Sequence, residues 1–125
     1  MSHLFRKETA VAMAKKYHIH RFLVNADKQN QQFYFPANYK VGESVFLLGN
    51  RSGDQVGIKI RNTEIFPKDF NASLISFTGN LSRNQIRYPL ALGEPISSAL
   101  VEIDYKRDSV ANVYEVAVYF EVIEQ

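Results

Sequence analysis

Along most of the chain apolar side chains recur at every second position. Val56, Ile58 and Ile60 alternate with Gly57, Lys59 and Arg61. Val101, Ile103 and Tyr105 alternate with Glu102, Asp104 and Lys106, and Tyr114, Val116, Val118, Phe120 and Val122 alternate with Glu115, Ala117, Tyr119 and Glu121. Successive side chains of a strand point to opposite faces, so each run predicts a strand with one buried face. Residues 21–24 and 32–35 predict two more strands, joined by a polar loop. Residues 45–48 form an unbroken apolar run, as expected of a strand covered on both faces. Residues 74–78 predict a further strand closed by Gly79 and Asn80. Within 82–93, Ile86, Arg87 and Tyr88 predict a short strand, and Pro89 and Pro95 an irregular crossing.

The first segment reads differently. Ala10, Met13, Ala14 and Tyr17 recur at the spacing of one helical face. A basic N-terminal helix or arm is therefore expected over 1–18, followed by a β domain over 19–125, the whole forming one domain. The turn formers of 49–54 should reverse the chain, and 106–112 should link the last two strands as a long antiparallel hairpin. Seven or eight short strands at this spacing predict an all-β, mainly antiparallel fold with one short N-terminal helix: a jelly-roll-like sandwich or a small barrel.

Composition narrows the classes. With no cysteine among 125 residues, disulfide frameworks and thiolate metal sites are excluded. The apolar runs are too short for a membrane-spanning helix. Without the apolar core of a signal peptide, the expectation is synthesis in the cytoplasm, with the virion as a destination. The net charge is only +2, but residues 1–21 carry five basic residues against Glu8 alone, and acidic residues gather after Glu102. Such asymmetry favours nucleic acid, an acidic partner or head-to-tail contacts between copies.

Candidate chemistry is sparse. His18 and His20 fall on one side of an extended segment, a geometry that binds metal if a third ligand joins; packing at the helix–sheet junction is the simpler expectation. Glu94, Asp104 and Lys106 loosely imitate a magnesium-dependent nuclease, although the last two also read as the solvent face of a strand. Gly49 to Gly53 could cradle an anion, but a loop explains them more simply. Basic and aromatic residues interleave, as in binders of single strands. The residues expected to contact a partner or nucleic acid are Arg6, Lys7, Lys15, Lys16, Arg21, Lys59, Arg61, Arg83 and Arg87.

The expectation is therefore a non-enzymatic structural subunit without cofactor, a capsid or vertex protein of a small virus or phage. Its partners would be itself or other structural subunits. The alternative is a β-barrel binding single-stranded nucleic acid, and a metal-dependent nuclease ranks third.

Overall fold

The computed structural model describes residues 14–76, 88–89, 96–108 and 112–124. Eight strands follow in order: β1 (Ala14–Val24), β2 (Lys28–Tyr34), β3 (Tyr39–Leu48), β4 (Gln55–Ile60), β5 (Thr63–Phe66), β6 (Tyr88–Pro89), β7 (Leu100–Lys106) and β8 (Tyr114–Glu124). They make two four-stranded sheets, ordered β1-β8-β3-β6 and β2-β7-β4-β5.

This order has a simple origin. β1 pairs with β8, β2 with β7, β3 with β6 and β4 with β5, all antiparallel. The chain is thus doubled back on itself as one long hairpin with four rungs. Winding that hairpin then pairs β8 with β3 and β7 with β4. The result is a sandwich in jelly-roll order.

The period-2 residues fill the space between the sheets. Val45, Val118 and Phe120 of the first sheet meet Ile58, Val101 and Ile103 of the second, all at most 1% exposed. Each such side chain contributes about 1.5–3 kcal/mol on burial. The first sheet is also covered on its outer face. Phe46, Ala117 and Ile123 are buried there, and Phe46 stacks on Tyr119 at 4.7 Å, as an unbroken run at 45–48 requires.

Several expectations need correction. Residues 14–18 are strand, not helix: β1 pairs with β8 at every position from Ala14 to Val24. Alternation of His18, His20, Phe22 and Val24 governs the segment, and the helical spacing of Ala14 and Tyr17 is coincidental. The rest of the expected helix lies outside the described residues. The C-terminal hairpin does not form, because β7 and β8 belong to different sheets and their link crosses between them. The polar loop before residue 32 contracts to 25–27, since β2 begins at Lys28. Residues 72–75 form a 3-10 helix rather than entering a strand. Asn71 caps it by accepting a hydrogen bond from Ser73 N, which draws the backbone into a turn. Residues 77–87 lie outside the described part, while β6 holds Pro89 at a sheet edge.

Candidate binding surface

With apolar side chains filling the interior, polar chemistry is displaced to rims and outer faces. At one rim, β1 and β2 are the edge strands of their respective sheets. Phe33 of β2 stacks on His18 at 5.2 Å and on His20 at 4.5 Å. His18 Nδ1 and the Tyr39 hydroxyl share a hydrogen bond of 2.9 Å, and His20 Nε2–H donates to Gln31 Oε1 at 3.4 Å. Burial lowers the His18 pKa, and the neighbouring His20 and Lys16 lower it further. Among the described residues no group of three His, Cys, Asp or Glu could hold a metal ion. The histidines here close the rim.

A second polar group pins the loops. Asp54, 1% exposed, accepts hydrogen bonds from the hydroxyls of Tyr105 (2.5 Å) and Tyr114 (2.6 Å) and from the backbone N–H groups of Arg51 and Asp108. Burial pushes its carboxyl pKa up, but the four donors together outweigh burial and hold it below the ordinary value. Burial and the carboxylate push Tyr114 up to about 12 and raise Tyr105 still further. Asp54 does not stand out in the sequence as a site, because it sits among turn formers. The available signal was a pair of tyrosines at inward positions, whose hydroxyls need a buried partner.

Among the described residues, the expected contact residues do not converge. Arg6, Lys7, Arg83 and Arg87 lie outside the described residues. Lys15 stands opposite Ile123 on β1. Lys16 binds Glu124 at 3.1 Å, a hydrogen bond that raises its pKa, and lies over the Tyr39 ring; Arg21 is 3.9 Å from Glu115. The basic segment and the acidic C-terminal strand thus partly neutralise each other inside one chain, because β1 and β8 are paired. Lys59 is flanked by Glu102 and Glu64 across its ladders. Arg61 opens the β4–β5 turn in left-handed geometry and donates to Ser97 O at 2.7 Å.

Other cations do converge. On the outer face of the second sheet lies an open groove of about 490 Å³. Lys28 of β2 and Lys106 of β7, direct cross-strand partners, line it together with Lys68 from the loop after β5. Gly57 lets that loop down onto the sheet, since a Cβ there would come within 2.8 Å of Lys68 Cα. Asp104 and Asp69 also line the groove, and Asn30 Nδ2 donates to Asp104 Oδ1 at 3.0 Å. Of the nuclease-like trio, Asp104 and Lys106 therefore share one groove, while Glu94 lies outside the described residues.

Comparison of the chain with protein-family models, curated proteins and solved structures gave no match.

Proposed function

We propose that this protein is a non-enzymatic assembly subunit, a capsid or vertex component of a small virus or phage, working through contacts with other copies of itself or with other structural subunits. The observation that carries the reading is the eight-strand jelly-roll order around a filled interior. Jelly-roll domains serve as capsid subunits and lectins, which act through faces and loops, and as cupins, which use the barrel interior. A packed interior favours the first two; the step from fold to role is an analogy.

A feature of the surface adds support. Besides Tyr34, 69% exposed at the opposite end of β2, the exposed large apolar side chains of the described residues are Leu23, Val113 and Leu74, at 54%, 57% and 65%. All three lie at the end of the sandwich where β1 and β3 finish and β8 begins. Solvated apolar side chains gathered at one end suit a subunit contact. The single-strand-binding alternative draws less support, because Lys16 and Arg21 are paired with carboxylates and Arg61 with a backbone carbonyl.

Mass photometry at near-physiological salt tests the proposal. Discrete species larger than the monomer are expected. Monomers alone, with salt-sensitive capture of a labelled single-stranded oligonucleotide, would replace this reading with the alternative.

A further inference from the structure

Lys28 and Lys106 face each other directly across the β2–β7 ladder. Like charges at such positions repel and destabilise the pair, so a sheet gains nothing from this arrangement by itself. The described structure gives neither lysine, nor Lys68, an ion pair or hydrogen bond, although Lys16, Arg21 and Arg107 all have carboxylate partners. Three ammonium groups without a direct ion-pair or hydrogen-bond partner among the described residues therefore border one groove. A like-charge pair of this kind is expected at functional sites, where a ligand supplies the compensation.

The rest of the lining restricts what that is. Asp104 and Asp69 stand among the lysines, and carboxylates accept hydrogen bonds but cannot donate them. A ligand satisfying the whole groove brings an anionic group to the lysines and hydrogen-bond donors to the carboxylates, and a sugar acid supplies both, with its hydroxyls as the donors. A nucleic-acid strand fits poorly. Its phosphodiester backbone brings no hydroxyl donors to the aspartates, and its bases would find no platform among the described residues: Tyr105, the aromatic residue of the lining, is 2% exposed with its hydroxyl committed to Asp54. The volume of about 490 Å³ is that of a small-ligand site.

We infer that this groove binds an acidic saccharide, with Lys28, Lys106 and Lys68 holding its acid group and Asp104 and Asp69 accepting from its hydroxyls. The inference does not depend on the assembly reading, since the groove lies on the face of the second sheet and the exposed apolar residues at the end of the first.

Trigalacturonic acid, its neutral counterpart galactotriose and a short oligothymidylate are the probes, titrated into the full chain by calorimetry and amide-shift mapping. Trigalacturonate should shift amides of β2, β7 and the 67–69 loop. The double variant Lys28→Gln, Lys106→Gln should weaken binding at least tenfold with a melting temperature no lower than that of the wild type. Asp104→Asn separates the ligand classes. It should weaken the acidic sugar, whose hydroxyls exchange a charged acceptor for a neutral amide oxygen, whereas a phosphate chain, which brings no donor to this position, would bind more tightly once the carboxylate's repulsion is gone. Absence of shifts on this face at millimolar trigalacturonate, equal binding of galactotriose, or tighter binding of oligothymidylate in Asp104→Asn than in the wild type would each overturn the inference. Because all these side chains lie on a solvent-facing surface, Lys68→Gln alone serves as a milder check if the double variant loses its fold.

Discussion

Asp54 joins three parts of the chain through one carboxylate: its own loop at Arg51, β7 and the following link at Tyr105 and Asp108, and β8 at Tyr114. Asp54→Ala leaves two buried hydroxyls without an acceptor and should cost about 3 kcal/mol in a urea melt, whereas Tyr114→Phe removes one donor and should cost about 1.5 kcal/mol. The pH dependence follows from the lowered carboxyl pKa. The folded protein holds this proton less tightly than the unfolded chain. The stabilisation is complete above the ordinary carboxylate range and disappears as pH falls through the folded value. His18 has the same sign at higher pH. Its folded pKa lies below 6.5, so stability should begin to fall as pH drops below that value. Urea midpoints at pH 7.5 and 5.5 should differ in the wild type and differ less in His18→Phe; an equal difference in both would exclude this role. At the groove, Lys28→Gln should raise stability by a few tenths of a kcal/mol at low ionic strength, an effect that fades in high salt.

Among elements, the strands with clean alternation were legible, and their partners were not. Alternation at Val101, Ile103 and Tyr105 tells which face is buried, but carries no information on the neighbouring strand. The expected β7–β8 hairpin was therefore a reasonable local reading overturned by long-range winding. β5 was missed because Thr63–Phe66 is short and its turn, Arg61-Asn62, lacks the glycine that usually announces left-handed geometry. The groove is half legible in the sequence: Lys106 and Asp104 alternate as one strand face, but Lys28 sits in a polar stretch that resembles a loop and Lys68 has no pattern to mark it. The turn after β3 was anticipated from Gly49. Its φ is +87°, and a Cβ there would lie 2.3 Å from Glu115 O, against the backbone of β8. Gly49→Ala should cost more than about 1 kcal/mol by thermal melting, and a neutral result would contradict this packing.

On the scale of the molecule, the winding brings the two ends of the described chain together. β1 lies beside β8, so the basic early segment and the acidic final strand meet within one subunit. The charge asymmetry that suggests head-to-tail assembly is thus partly spent internally, and the assembly proposal rests on jelly-roll order and the apolar end instead. Leu23→Glu and Val113→Glu place charges at that end without touching the core. Sedimentation velocity of this double variant beside the wild type, over a wide concentration range at near-physiological salt, is the most direct measurement. Assembly through this end requires concentration-dependent larger species for the wild type and their loss in the variant. A wild-type protein that sediments as a monomer at every concentration would contradict it.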